Sequence, residues 1–265
     1  MSVQDRALQI KQQLAAGRTV VGCFISLGSA IASEIMGAAG YDCGVIDLEH
    51  GSGDERQAMD QLQALAATNC IGMVRVESNQ RQRVHRVLDA GAHGIMFPRI
   101  DSADEARAAI AAMRYPPDGM RGLASSTRAC EYGANFQPYL DGSKNLLSMI
   151  QIESETAVAC VDEIAAVPGV DVLFLGPWDL SFGMGIMGEF DHPRFVSAVE
   201  RTSAAAAAHG KVAGILLPAN KNVAHYHALG YRFILSGADA IMLQQTARAA
   251  AKSLLEQRAV ADAHR

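Results

Sequence analysis

Short apolar runs rich in β-branched residues alternate along this chain with longer stretches of helical period. The runs that read as strands are Val20 to Ile25, Cys43 to Asp47, Met73 to Val76, Gly94 to Phe97, Leu147 to Ile152, Val172 to Leu175, Val212 to Leu216 and Phe233 to Leu235. An opening helix is expected from Gln4 to Ala16. Further helices are expected over Ala30 to Ala39, Asp54 to Ala67, Gln80 to Asp89, Ser102 to Met113, Glu155 to Ala166, Pro193 to His209, Asn220 to Leu229 and Ala238 to Ala261. Ser102 followed by Glu105 has the form of a capping box, and Gly40, Gly91, Gly210 and Gly230 fall just past helix ends, where a left-handed residue is wanted. Strands that alternate with helices imply a parallel sheet. Eight such units in 265 residues, with no Pro/Ser-rich linker, imply one domain over residues 1–265, a closed α/β (β/α)8 TIM barrel with an extra N-terminal helix.

Composition narrows the function. An apolar content of 49% with 19% charged residues is ordinary for a globular enzyme, and a net charge of -5 without a Lys/Arg block argues against nucleic acid or an anionic membrane as partner. The five cysteines, Cys23, Cys43, Cys70, Cys130 and Cys160, are an odd number at wide spacings, which suits reduced core thiols. The segment from Met1 to Gly17 is amphipathic and lacks the apolar centre of a signal peptide. No run reaches the length needed to span a bilayer, so the expected compartment is the cytoplasm.

The candidate chemistry gathers where strands end. Val45 to Gly51 reads V-I-D-L-E-H-G, a buried run that breaks into titratable groups, with His50 as candidate base. In the third strand Arg75 lies in an apolar run, where a guanidinium needs a partner: either an anionic ligand or enolate, or an ion pair with Asp47 or Glu49. Glu153 follows the fifth strand and Asp179 the sixth. Two hard oxygen donors suffice for Mg²⁺ or Mn²⁺, whose other positions go to water and substrate. Taken singly, Asp179 reads equally as a cap for a short helix and Glu153 as a first-turn residue of the next one.

Tyr115 to Asn145 is too long for a plain barrel connection. Because it joins strand four to strand five, it is expected near the mouth, either as a cover with Arg121 and Arg128 as anion contacts or as a flap at a subunit contact. Gly183 to Gly188 fits G-x-G-x-x-G but neither follows a strand directly nor opens a helix, which argues against a dinucleotide site. His225 and His227 lie two apart on a predicted helix and do not share a face as a zinc pair would.

Four segments taken together carry a resemblance: D-L-E-H-G at 47 to 51, Y-P-P-D-G-M-R-G at 115 to 122, Q-I-E-S at 151 to 154 and G-P-W-D-L-S at 176 to 181. From about residue 15 to about residue 255 the chain resembles the class II pyruvate aldolases, the hydroxyketoacid aldolase family that includes 4-hydroxy-2-oxoheptanedioate aldolase and 2-dehydro-3-deoxyglucarate aldolase. The resemblance implies a divalent metal (Mg²⁺, Mn²⁺ or Co²⁺) held by Glu153 and Asp179, and pyruvate chelated through its carboxylate and keto oxygens. It further implies proton transfer by His50, oriented by Asp47, through a metal-bound water, with Glu49 behind that water and Arg75 stabilising the enolate. Gln151, Pro177, Trp178, Phe24 and Leu217 would surround the substrate. It also implies a hexamer, a trimer of dimers that exchange their last helix, in which the carboxylate of Asp89 reaches a neighbour's site. Phe24 and Arg99 depart from the family pattern in positions suited to choosing the aldehyde.

The chemistry is coherent, because a methyl proton of pyruvate leaves slowly unless a Lewis acid and a cation neutralise the growing oxyanion. The partners expected are a 2-oxo acid and an aldehyde. Two other reactions share the enolate: lysis of an acyl-CoA thioester, for which no Lys/Arg cluster offers a phosphate groove, and decarboxylation of oxaloacetate. A barrel that binds a metabolite without turnover is the non-enzyme alternative.

Overall fold

The computed structural model describes residues 1–218 and 221–263. Eight parallel strands close in chain order into a barrel: β1 (Val20–Ile25), β2 (Cys43–Asp47), β3 (Ile71–Arg75), β4 (Gly94–Phe97), β5 (Leu147–Ile152), β6 (Val172–Leu175), β7 (Val212–Leu216) and β8 (Tyr231–Ala238). Every residue of β2 to β6 is buried, so these strands read as unbroken apolar runs, as expected of a sheet wrapped by helices outside and filled by side chains within. The fold is the expected (β/α)8 barrel with an added helix, α1 (Val3–Ala15), before the first strand.

Around the barrel run α2 (Ala30–Ala38), α3 (Glu55–Ala66), α4 (Arg81–Asp89), α5 (Ala103–Met113), α6 (Phe136–Gly142), α7 (Glu155–Ala159), α8 (Val161–Ala165), α9 (Pro177–Gly183), α10 (Pro193–Ala208), α11 (Val223–Ala228) and α12 (Asp239–Ala263). Local signals set several ends. Ser102 Oγ accepts the Glu105 N–H at 3.2 Å, while the Glu105 carboxylate reaches past the cap to the Asp101 N–H at 2.7 Å. Gly40, Gly91, Gly210 and Gly230 all take the left-handed conformation expected of them.

Four differences from the sequence expectation have physical causes. β3 begins two residues early, because Ile71 and Gly72 pair with Cys43 and Gly44. β8 runs three residues past Leu235, since Ala238 still pairs with Phe24 of β1 beyond an irregularity in the register. The helix expected from Glu155 to Ala166 is two, α7 and α8, divided at Cys160 (φ -97°, ψ 9°). The helix expected from Asn220 is α11, capped by the Asn222 side chain on the His225 N–H at 3.0 Å; its expected start at Asn220 lies outside the described residues.

The segment from Tyr115 to Asn145 lies away from the mouth where it was expected, and so does not cover the site. It follows the C-terminal end of α5, so it leaves the barrel at the end opposite the strand tips, where α6 and two 3-10 turns (Arg128–Gly133 and Ser143–Asn145) pack on α1 and α4. Arg121 is fully buried there, bonded to Asp89 at 2.7 Å and to Tyr139 Oη at 3.0 Å, with its guanidinium over the Tyr115 ring. Arg128 donates to the carbonyls of Ala90 at 2.8 Å and Leu62 at 3.5 Å. Neither arginine reaches the mouth as an anion contact.

All five cysteines are free, four of them buried and Cys160 half-buried. Among the described residues no helix is long and apolar enough to cross a membrane. α12 touches the barrel only at its root. Beyond Met242 its described residues are all exposed, including Leu243, Leu254, Leu255 and Val260.

Candidate active site

Asp47 and Arg75 end neighbouring strands in direct register. Arg75 donates from Nε to Asp47 Oδ1 at 2.9 Å and from Nη2 to Oδ2 at 2.6 Å, and its Nη1 lies 3.1 Å from the Glu49 carboxylate. Burial works against the charge, but the bonds and charge of Asp47, then of Glu49 and Glu153, outweigh it and raise the guanidinium pKa. The ring of Phe24, from β1, lies 4.7 Å beneath the same guanidinium. Two of the five N–H donors go to Asp47, so Arg75 keeps donors for a ligand oxygen. The ion-pair reading of Arg75 is met by Asp47 and Glu49, and the ligand-clamp reading is left its donors.

Asp47 also shapes the turn that follows. Its Oδ1 accepts the backbone N–H of Glu49 at 3.1 Å and of His50 at 3.2 Å. Gly51 closes that turn so tightly that a Cβ would strike the Asp47 carbonyl oxygen. The sequence expectation had Asp47 orienting the His50 ring. Instead Asp47 holds the His50 backbone, and the imidazole, largely exposed, has Nε2 3.7 Å from Glu49. The physical reason is that the Asp47 carboxylate is already taken by Arg75. Burial, opposed chiefly by Arg75, raises the pKa of Glu49.

Across the mouth, Glu153 lies outside any helix: Ser154 caps α7, its Oγ accepting the Ala157 N–H at 2.9 Å. Glu153 Oε1 accepts the backbone N–H of Arg99 at 2.7 Å, and Oε2 accepts from Gln151 Nε2 at 2.7 Å. Gly176 leaves the space the carboxylate occupies, since a Cβ there would come within 2.9 Å of both Glu153 Cβ and Oε2. Asp179 is in the first turn of α9, whose cap is Gly176, so it is free of the capping duty that was its alternative reading. Both acids line one cavity of about 360 Å³, together with Arg99, Asp101, Ser154 and Phe182.

Burial pushes the Glu153 carboxyl up to about 7 against the Arg99 N–H, and the nearby charges of Asp179 and Glu49 push it the same way. Two buried or facing carboxylates with spare lone pairs, crowded by a third, are a donor set that a hard divalent cation satisfies. Among the described residues no three of His, Cys, Asp and Glu converge to ligate a metal by themselves. Such a cation would rest on Glu153 and Asp179 and complete its shell with water or substrate oxygens. Gln151 Oε1 is buried without a hydrogen-bond partner beside Glu153, a further polar atom available to what binds there.

The other expected residues divide. Pro177 is buried at the first position of α9; Trp178, half-exposed beside it, packs edge-on against Phe190 at 5.2 Å. Leu217 follows β7, half-buried, its N–H on the Leu235 carbonyl at 2.7 Å. Asp89 ends α4, at the far end of its own barrel, and is bonded to Arg121. Its carboxylate therefore cannot serve the site of its own protomer.

Two contributors were not foreseen, Asp239 and Gly176, and Arg99, expected only as a departure from the family pattern, has a further part. Asp239 accepts from Ser26 N at 2.7 Å, Ser26 Oγ at 2.9 Å and Leu27 N at 3.3 Å, tying the start of α12 to the end of β1; the S-G-A-D run before a helical stretch was the available signal. Gly176 had no signal beyond its place before Pro177. Arg99 takes φ 52°, a left-handed conformation that costs a non-glycine residue roughly 1–2 kcal/mol, and this aims its N–H at Glu153.

A family model described as HpcH/HpaI aldolase/citrate lyase matches residues 20–246. The chain belongs to the HpcH/HpaI aldolase/citrate lyase family. Its relatives include proteins named 5-keto-4-deoxy-D-glucarate aldolase from Salmonella arizonae, 38% identical over 231 residues, and from Shigella dysenteriae serotype 1, 37% identical over 231 residues. Each alignment covers 87% of this chain and 90% of the relative. The crystal structure of an HpcH/HpaI aldolase/citrate lyase family protein from Burkholderia cenocepacia J2315 superposes with a TM-score of 0.87 at 37% identity, covering 93% of this chain and 98% of that one. As a member of this family the protein is a carbon–carbon lyase.

Proposed function

We propose that the protein is a divalent-cation-dependent aldolase that reversibly cleaves a 4-hydroxy-2-oxo acid into pyruvate, or a close analogue such as hydroxypyruvate, and an aldehyde. The observation that carries this reading is the convergence of Glu153 and Asp179 on one cavity, with Arg75 within electrostatic reach of Glu153. The relatives named as 5-keto-4-deoxy-D-glucarate aldolases support the same reaction class.

Glu153 and Asp179 would hold Mg²⁺, Mn²⁺ or Co²⁺, which when bound supplies Lewis acidity to the keto oxygen of the 2-oxo acid. Gln151 and the Arg99 N–H fix the Glu153 carboxylate, so the donor is set before the ligand arrives. Arg75 turns its remaining N–H donors to the oxygen on which negative charge grows as the carbon–carbon bond breaks. His50 Nε2, exposed beside Glu49, accepts the proton of the C4 hydroxyl in cleavage and returns it in condensation. Phe24, Pro177, Trp178 and Leu217 form the less polar wall around the acceptor.

The apolar residues that α12 leaves outside the protomer support an assembly in which this helix packs on a second copy, the exchanged-helix hexamer that the family resemblance implies. Asp89, remote from its own mouth, is then available to a neighbour. Light scattering on the full chain tests the hexamer.

The reaction is tested by proton exchange at the methyl group of pyruvate in deuterated water, followed by NMR after chelation and after return of Mg²⁺, Mn²⁺ or Co²⁺. Metal-dependent exchange, together with release of pyruvate from 4-hydroxy-2-oxo acids, is expected. Exchange that survives chelation undiminished would sink the proposal.

A further inference from the structure

Arg99 holds two jobs that its backbone and side chain divide. Its N–H is committed to Glu153 Oε1 at 2.7 Å, and the residue, exposed, lines the same cavity as Glu153 and Asp179. The guanidinium makes no ion pair or side-chain hydrogen bond with any described residue. Its surroundings make that unusual, because Asp101, Glu153, Glu155 and Asp179 line the cavity with it. The neighbouring acids have other partners: Asp101 accepts from Ser154 Oγ, Glu155 pairs with Arg194 at 2.8 Å, and Glu153 is held by Gln151. Arg75 and Lys221, also brought to this end of the barrel, are matched, by Asp47 and by Asp191.

Depth separates the roles of the two arginines at the mouth. Arg75, Gln151 and Glu153 are buried, whereas Arg99 stands at the rim. A hydroxyketoacid bound with its 2-oxo end on the buried groups extends its other end outward, and the rim is where the acceptor half of the molecule lies. A guanidinium without a protein partner at that depth matches a carboxylate or phosphate on the acceptor, through a fork of N–H donors suited to two oxygens.

We infer that Arg99 is a specificity-determining residue that selects acceptor aldehydes bearing an anionic group. The inference rests on the aldolase reading above. Binding involves no covalent step at Arg99; the reaction is still carried by the groups on β2, β3, β5 and α9.

The test compares matched acceptors within each protein: glyoxylate against its methyl ester and 4-oxobutanoate against its methyl ester, two probes that differ in reach, with pyruvate as donor. For the unaltered enzyme kcat/KM should favour the acid of at least one pair by about 10-fold or more. In Arg99→Met that ratio should fall to near unity, chiefly through a higher KM for the acid, and Arg99→Lys should restore part of it. A general loss of efficiency lowers both members of a pair and leaves the ratio intact, so a damaged site does not mimic the result. A ratio near unity in the unaltered enzyme, or one that persists in Arg99→Met, overturns the inference. So does a rise in the KM for pyruvate with the ratio unchanged, which would put the guanidinium on the donor. Pyruvate exchange in the unaltered enzyme is measured alongside: its absence removes the aldolase reading itself, while exchange without acid preference removes only the role of Arg99.

Discussion

Asp47 and Arg75 face each other across the seam between β2 and β3, joined by two hydrogen bonds of 2.9 and 2.6 Å in a buried setting. One carboxylate thereby fixes both the cation and, through the N–H groups of Glu49 and His50, the turn carrying the His50 imidazole. Removing one partner of a buried pair strands the other. Asp47→Ala is expected to lower stability by about 3 kcal/mol, read as a shift in the urea midpoint at unchanged slope, and to slow pyruvate exchange. Full stability in that variant would mean that Glu49, 3.1 Å from Nη1, satisfies Arg75 alone.

Gly176→Ala adds a single carbon where Glu153 already stands, at 2.9 Å from its Cβ and Oε2. The expected cost of such overpacking is about 1–3 kcal/mol, and the carboxylate must move off Gln151. Mn²⁺ affinity, followed by electron paramagnetic resonance, should weaken about 10-fold or more in a protein that still unfolds cooperatively. Native affinity in the alanine variant would show that Glu153 is not a donor.

Glu153→Gln keeps the shape of the side chain and removes its charge. One oxygen can still accept from Arg99, and the new amide nitrogen can donate to Gln151 once the Gln151 amide turns its unpartnered oxygen towards it. Titration calorimetry should show loss of measurable Mg²⁺ and Mn²⁺ binding, and excess metal should not restore exchange. A variant that binds either ion as the unaltered enzyme does would refute the assignment.

His93 offers a pH test far from the chemistry. Burial pulls its pKa from 6.5 down to about 3, so the folded protein keeps the imidazole neutral while the unfolded chain takes up a proton. Stability from this group is complete above the ordinary value and is lost as pH falls from about 6.5 towards about 3, by at most about 1.4 kcal/mol per pH unit. Denaturation at a series of pH values should show a slope shallower by one proton in His93→Asn than in the parent. Equal slopes would mean that other groups set the acid limb.

Much of this was legible in the residues because the barrel repeats one simple rule. Continuous apolar runs of four to six residues, as in Val172–Leu175, fit a strand covered on both sides, and the change to helical period marks each return. Asp47, Arg75, Glu153 and Asp179 stood out because charge at the end of such a run is costly unless used. Four things were not legible. The ends of β8 are set by pairing with β1 and β7 rather than by composition, so Ser236 and Gly237 gave no strand signal. The segment after α5 was misplaced by reading it as a strand-to-strand loop, when its start is the end of a helix and hence of the opposite face. The turn after Asp47 looked like a carboxylate–imidazole pair, but sequence spacing does not reveal that Arg75 occupies that carboxylate first. Arg99 gave no hint of its φ of 52°, because a left-handed arginine is imposed by the tertiary bond to Glu153.

Asp239 binds the root of α12 to Ser26 and Leu27, two and three residues beyond Phe24, and Phe24 in turn pillows Arg75. The seam where the barrel shuts, the anchorage of the outlying helix and the floor beneath the Arg75 cation are thus one continuous run of covalent and hydrogen-bonded links. A grip on that helix from outside the protomer is mechanically a grip on the bed of the guanidinium.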